Sequence, residues 1–249
     1  MERFKECFGH REIETITSDE IQSFLLTLTD NSNQTTKNLR YSNLKSFFNF
    51  VKATEIPKLE NPCNSSTMKK IFKNKKLTQW PMIEKDVVDE IIFRTVNPRN
   101  RLMLELMARA GMRISEVLNL KAVDCQGCKL SLSNTKGGKE KEFAFIPQKI
   151  AEKLKEYIQR QEIPDQERIF PISYTAAWTI VGKAGKLVGI HLRPHDLRRH
   201  SATFASRSGT PIEIVSKVLL RHQHLSTTQR YLGKVSDTEA MRWIENLYG

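Results

Sequence analysis

Residues 56–76 break a chain that is otherwise patterned for helices. The stretch opens with IPKLENPCNSS (56–66), whose prolines, asparagines and serines favour turns, and runs into MKKIFKNKK (68–76), five lysines in nine residues without an acid. A lysine-rich segment between two patterned regions is expected to be an interdomain linker. It can follow phosphates or simply be solvated. The expectation is therefore two domains, residues 1–75 ending in this linker and residues 80–249.

On the N-terminal side, Thr17 and Glu20 stand at capping-box spacing with Asp19 in the first turn, and Ile21, Phe24, Leu25 and Leu28 follow at helical intervals over 17–29. A second helix is expected from about Thr36 to Ala53, burying Leu44, Phe47, Phe48 and Val51. Lys37, Arg40, Tyr41 and Lys45 fall largely off that stripe, on a basic face that also carries an aromatic. Plain solvent surface and a DNA-groove reader both fit such a face. On the C-terminal side, helical patterns cover 84–95, 100–110, 149–161, 174–187, 196–208, 211–220 and 236–248. KLSLSNTKGGKEKEFAFIP (129–147) differs: it alternates on either side of Gly137-Gly138, as a β-hairpin or small sheet does. The expected class is mainly α, with a small antiparallel β-sheet in the second domain.

The net charge of +12 attracts phosphate polymers through counterion release, although a solvated lysine surface would also produce it. No run approaches the roughly 18 apolar residues of a membrane span. The N-terminus is charged from its second residue, unlike a secretory signal. The four cysteines, Cys7, Cys63, Cys125 and Cys128, are too few and scattered for a disulfide scaffold; reduced thiols in a cytoplasm fit better. Cys125-Gln-Gly-Cys128 has a zinc-like spacing but no second pair to complete four ligands, and His222 and His224, two apart, do not share a helical face. No metal is expected. Nor is there a glycine-rich phosphate loop or a GxSxG elbow.

Phosphoryl transfer at a DNA phosphodiester needs cationic donors on the non-bridging oxygens, an in-line nucleophile, and an acid for the departing 5′-oxygen. Arginine suits the first task with its planar, permanently charged fork. A tyrosine nucleophile conserves the bond energy, because a DNA hydroxyl can attack the phosphotyrosine in turn. Five stretches carry such groups. QTTKNLRYSNLKSFFNFV (34–51) resembles the core-binding helix of the tyrosine recombinases, the Xer/phage-integrase family. ARAGMRISEVLNL (108–120) and HDLRRHSATFA (195–205) resemble that family's two arginine motifs. NTKGGKEKEFAFIP (134–147) resembles the hairpin of its catalytic lysine, and LLRHQHLSTTQRY (219–231) its His-Leu-Ser-x-x-Gln-x-Tyr ending.

The resemblance implies a small helical, SAM-like core-binding domain followed by a mostly helical catalytic domain. It implies that Arg113 and Arg198 clamp the scissile phosphate, with Glu116 orienting Arg113. Lys136 is the general acid, ahead of the Gly-Gly turn as in the family, although Lys139 and Lys141 crowd the same hairpin. His195 is the base near the tyrosine, His222 bonds the phosphate, and Tyr231 attacks to give a 3′-phosphotyrosine. Lys37, Arg40, Lys45, Lys69, Lys70, Lys73, Lys75 and Lys76 are the candidate DNA contacts. No cofactor is implied. The partner is double-stranded DNA, bound at two sites by a homotetramer that exchanges strands through a Holliday junction. In that assembly helix 236–248 docks in trans by Ala240, Trp243, Ile244 and Leu247; docking in cis is the alternative. A prokaryotic or phage-encoded cytoplasmic enzyme is expected.

Departures from the family pattern are Arg199 for a common second histidine, Arg221 for a usual glycine, and His224 for an acid or small residue. MERFKECFG resembles only the end of the family's first helix, so the N-terminal clamp is expected to be incomplete. Two rivals remain: a type IB topoisomerase-like enzyme that relaxes supercoils as a monomer, and a DNA-binding protein without catalysis.

Overall fold

The computed structural model describes residues 1–73, 82–132, 142–232 and 237–248, with the side chains of Arg230, Glu239, Leu247 and Tyr248 outside that description. The chain divides into two compact units, Met1–Thr78 and Gln79–Gly249.

The described part of the first unit holds helices α1 (Glu2–Phe8), α2 (Ser18–Leu28), α3 (Gln34–Thr54) and α4 (Ser66–Phe72). The capping box of α2 forms as its spacing requires: Thr17 Oγ1 accepts the Glu20 N–H at 3.3 Å, and the Glu20 carboxylate accepts the Thr17 N–H at 2.9 Å. Asn33 caps α3 by accepting the Thr36 N–H at 2.9 Å. The core gathers Ile21 and Leu25 of α2 with Leu44 and Phe48 of α3, sealed by Phe4 of α1. Its phenylalanine rings meet edge to face, Phe4 and Phe48 at 5.9 Å and 87°, the arrangement the ring quadrupole favours.

Two expectations for this unit are corrected. Tyr41 does not sit on the basic face. It is 4% exposed, its hydroxyl donates to the Cys63 carbonyl at 2.9 Å, and its ring stacks on Phe72. The interval 41, 44, 48 is itself helical, so Tyr41 extends the buried stripe. The lysine-rich segment is not wholly a linker either. Its first half is α4, where Met68 and Phe72, one turn apart, are both fully buried. Lys69, Lys70 and Lys73 are exposed around them, whereas Lys75 and Lys76 lie outside the described residues. Arg40 is exposed, and Lys37 and Lys45 are half-buried.

The second unit is built around α6 (Pro98–Arg109), preceded by α5 (Lys85–Arg94). Every residue of α6 from Leu102 to Ala108 is buried, so the helix has no solvent face along that length. Its single buried acid, Glu105, meets Lys153 at 2.5 Å. The short α7 (Ile114–Asn119) follows, then three antiparallel strands in the order β1 (Cys125–Gln126), β2 (Lys129–Leu132) and β3 (Glu142–Phe145). Leu130 opposite Ala144 turns the apolar side of the pleat into the core. The expected hairpin strands are thus β2 and β3, with Gly137-Gly138 outside the described residues. The Cys125–Cys128 spacing belongs to a tight turn on Gly127, at φ +59°, between β1 and β2, and both thiols are free.

Helices α8 (Gln148–Arg160), α9 (Tyr174–Lys186) and α10 (Pro194–Arg207) complete the body, α10 lying along α6. The α-helix expected over 211–220 is instead wound as a π-helix from Ile214 to Leu219. Its wider turn sends the Leu220 N–H to the Val215 carbonyl at 2.9 Å. Then come α11 (Leu225–Leu232) and α12 (Asp237–Tyr248). On α12, Ala240 and Ile244 are exposed, while Trp243 is half-buried with its ring end against Gly209. No helix among the described residues is long and apolar enough to cross a membrane.

Phe72→Ala tests the reassignment of α4. Losing a buried ring should lower unfolding stability by about 3–5 kcal/mol in urea titrations of the full chain followed by circular dichroism. A linker residue would leave the curve unchanged.

Candidate active site

The site starts at the end of α6. Gly111 takes φ +57°, which stops the helix, and a Cβ there would stand 3.2 Å from Leu219. Two residues later Arg113 occupies the N-cap of α7, its N–H donating to Glu116 Oε2 at 2.8 Å and its Nη1 to Glu116 Oε1. Arg221, 105 positions further along the chain than Glu116, donates Nη2 to the same Oε2 at 2.5 Å. Burial is the largest influence on Glu116 and would raise its pKa. The Arg221 charge, the Arg113 N–H and guanidinium, and Arg198 outweigh it and leave the carboxyl below its ordinary value.

Helix α10 begins at Pro194, two residues earlier than expected, because Asp196 accepts the Arg193 N–H at 2.9 Å. That places His195 in its first turn and Arg198 one turn further on. Arg198 is 1% exposed, and its Nη1 and Nη2 donate to the carbonyls of Gly111 and Leu220. Its Nε has no partner among the described residues. Burial first and Arg113 second press its pKa below the arginine range, while Glu116 and Tyr231 pull the other way; it remains a cation at neutral pH. His195 is exposed, yet the protein beneath it, then Arg198, Arg199 and Arg113, disfavour its protonated form more than Asp196 supports it.

His222 follows Arg221 and is buried. Its ring meets that of Tyr231, on α11, at 5.1 Å and 69°, and the Arg199 guanidinium lies 5.7 Å from the Tyr231 ring centre. Burial first, then Arg198, Arg113, Arg221 and His195, push the His222 pKa down to about 4, so the ring is neutral at pH 7. Its Nδ1 is 2.9 Å from the Thr228 hydroxyl, which is 2.9 Å from the Ser216 hydroxyl. A hydroxyl can give or take a proton. Where Thr228 donates to Ser216, Nδ1–H donates to Thr228 and Nε2 is an acceptor; where Ser216 donates to Thr228 instead, Thr228 donates to Nδ1 and the neutral ring carries its proton on Nε2.

The structure therefore brings together Arg113, Glu116, Arg198, His222 and Tyr231, with His195 at the edge. His224 is exposed, and no metal-like group of histidine, cysteine or acidic side chains occurs among the described residues. Lys136 lies outside the described residues, as do Lys139 and Lys141. The strand that leaves their hairpin, β3, adjoins the site through a cavity of about 320 Å³ lined by Phe143, Arg221 and His222. Sequence reasoning missed Ser216 and Thr228. The available signal was two small hydroxyls on the buried side of apolar-patterned segments, where a polar group needs a partner.

The site joins the guanidiniums of Arg113, Arg198, Arg199 and Arg221 with two imidazoles and a tyrosine, an array of donors suited to an oxyanion. Residues 81–237 match the model of the phage integrase family. A tyrosine recombinase of Pseudothermotoga lettingae is 32% identical over 222 residues, covering 86% of this chain and 76% of that protein. Tyrosine recombinase XerA of Pyrococcus horikoshii is 34% identical over 207 residues, covering 78% and 67%. Among solved structures, the XerH site-specific recombinase bound to palindromic difH substrate, a post-cleavage complex, shares the fold. Its TM-score is 0.70 at 19% identity, covering 98% of this chain and 76% of that one. The chain belongs to the tyrosine recombinases of the phage integrase family, DNA strand-transferring enzymes.

The depressed pKa of His222 has a measurable consequence. Between pH 6.5 and about 4 the unfolded chain binds a proton that native His222 refuses. Its contribution to stability is therefore complete above that window and is lost as the pH falls through it, at up to roughly 1.4 kcal/mol per pH unit. Urea midpoints across the window should show a shallower slope for His222→Gln than for wild type. Equal slopes would mean that His222 titrates alike in both states.

Proposed function

We propose that this chain cuts and rejoins double-stranded DNA at a specific site through a 3′-phosphotyrosine on Tyr231. In this reading Arg113 and Arg198 hold the non-bridging oxygens of the scissile phosphate, and His222 donates to it from Nε2. The Tyr231 hydroxyl gives its proton towards His195 and attacks phosphorus. The bond to the 5′-oxygen breaks, and Lys136 supplies the proton to the leaving group. A 5′-hydroxyl from the partner strand then reverses these steps, through a Holliday junction when two sites are engaged.

The observation that carries the proposal is the Arg198 Nε, a buried donor with no partner among the described residues, on a guanidinium that acts electrostatically on His222 and Tyr231. A buried N–H is costly to leave unpaired, and an anion entering the site would satisfy it. Among the described residues, four guanidiniums, Arg113, Arg198, Arg199 and Arg221, against the carboxylates of Glu116 and Asp196 also leave an excess of two positive charges. A phosphodiester has one negative charge and its five-coordinate transition state about two, so this excess favours the transition state.

Two further parts belong to this reading. Residues 1–75 act as the core-binding domain, with Lys37, Arg40 and Lys45 of α3 and Lys69, Lys70, Lys73, Lys75 and Lys76 contacting DNA. A homotetramer forms on two sites, with α12 docking on a neighbouring protomer. The exposed Ala240 and Ile244 favour docking in trans, while the Trp243 contact with Gly209 lies within the chain itself.

The covalent step is tested with a nicked suicide duplex made from the inverted-repeat core site flanking the gene. On denaturing gels wild type should retain a DNA adduct and Tyr231→Phe none. An equal adduct in the variant would remove Tyr231 from its role.

For α12, deletion of residues 237–249 should leave thermal stability and single-site binding near wild type while abolishing two-site complexes in gel-shift assays. A marked loss of stability in the DNA-free monomer would show cis docking instead.

A further inference from the structure

Arg221 is buried among the reacting groups, yet the steps above give it no contact with DNA. Its φ of +53° lies in the left-handed region, where a residue with a Cβ is disfavoured. An arginine kept there is held by what its side chain touches. That side chain is 4% exposed. Nη1 donates to the Leu219 carbonyl at 2.8 Å, and Nη2 to Glu116 Oε2 at 2.5 Å. The other carboxylate oxygen, Oε1, takes Arg113 Nη1. One carboxylate is thus divided between two arginines that lie 108 positions apart.

We propose that Arg221 is a positioning residue that occupies Glu116 Oε2, so that the Arg113 guanidinium is gripped through Oε1 alone and keeps its remaining N–H groups for the phosphate. Without Arg221, the Arg113 N–H still holds Oε2 at 2.8 Å, and the carboxylate can pivot about that bond to take the Arg113 fork with both oxygens, the geometry such pairs favour. Two of the donors meant for DNA would then be spent inside the protein. The inference rests on Arg113 being a phosphate ligand. It concerns a residue in which this chain departs from its family's pattern, so it describes how this member orders a shared site.

Arg221→Gly is the informative variant, because glycine accepts φ +53° without strain and the fold should persist. Its melting temperature and affinity for the core site should stay close to wild type. Single-turnover cleavage of the suicide duplex should fall about tenfold, a usual scale for coupling between contacting residues. Arg221→Lys, which keeps one charged donor, should recover part of that rate. The decisive measurement is a double-mutant cycle with Glu116→Gln. If Arg221 acts through the carboxylate, Arg221→Gly should cost less than about twofold in the Gln background.

The same factor in both backgrounds would overturn the proposal and point to direct contact between Arg221 and phosphate. Loss of melting temperature and affinity in step with cleavage would overturn it in favour of a structural role. Wild-type cleavage by Arg221→Gly would overturn it alone and leave the function above intact. A wild-type protein that forms no adduct would overturn that function and this inference with it.

Discussion

A guanidinium sealed from solvent organises the larger unit. Arg198 cannot be buried without acceptors, because an unpaired internal cation costs several kcal/mol. It finds them in the carbonyls of Gly111 and Leu220, at the C-terminal ends of α6 and of the π-helix. Those ends carry the negative pole of a helix, where a cation is favoured. One side chain therefore ties together three segments far apart in sequence. Arg113 lies two residues beyond Gly111 and His222 two beyond Leu220, so both are carried into place by the same tie. Gly111 is favoured as glycine by its positive φ, and a Cβ there would also crowd Leu219 at 3.2 Å.

The resulting cluster is crowded with like charge. Arg113 and Arg221 share the Glu116 carboxylate, and burial, followed by the surrounding guanidiniums, suppresses protonation of His195 and His222. Packing around α6 and α10 holds the cations together despite their repulsion. In the proposed reaction this is preorganisation: the donors would be oriented before the phosphate arrives, and little would rearrange as charge develops on it. The π-helix adds to the arrangement. Its wide turn positions Ser216 both to accept the His222 N–H on its carbonyl at 2.9 Å and to meet Thr228 with its hydroxyl.

Much of this was legible in the residues, and the failures have physical causes. The α2 capping box, the apolar stripes of α2 and α3 and the alternating strands β2 and β3 are local patterns, and local patterns survive folding. Met68 and Phe72 were hidden by the lysines around them, because a count of charges says nothing about a pair of apolar residues one turn apart. Tyr41 was placed by its neighbours' charge when its interval to Leu44 and Phe48 assigned it to the core. The π-helix could not be read from periodicity: over six residues a wider turn shifts the apolar stripe too little to be seen.

The amino-acid order by itself determined the mainly helical class and the presence, in the order of the family it resembles, of two arginine motifs, a lysine-bearing stretch and a histidine–tyrosine ending. It could not decide how those groups share their partners. That Arg198 faces inward onto two carbonyls, that Arg221 takes half of the Glu116 carboxylate, and that Thr228 links His222 to Ser216 are contacts between residues from separate elements. Each depends on where α6, α7, α10, the π-helix and α11 come to rest against one another. Only tertiary packing sets that, because a buried polar group takes whichever partner the fold brings within hydrogen-bonding distance.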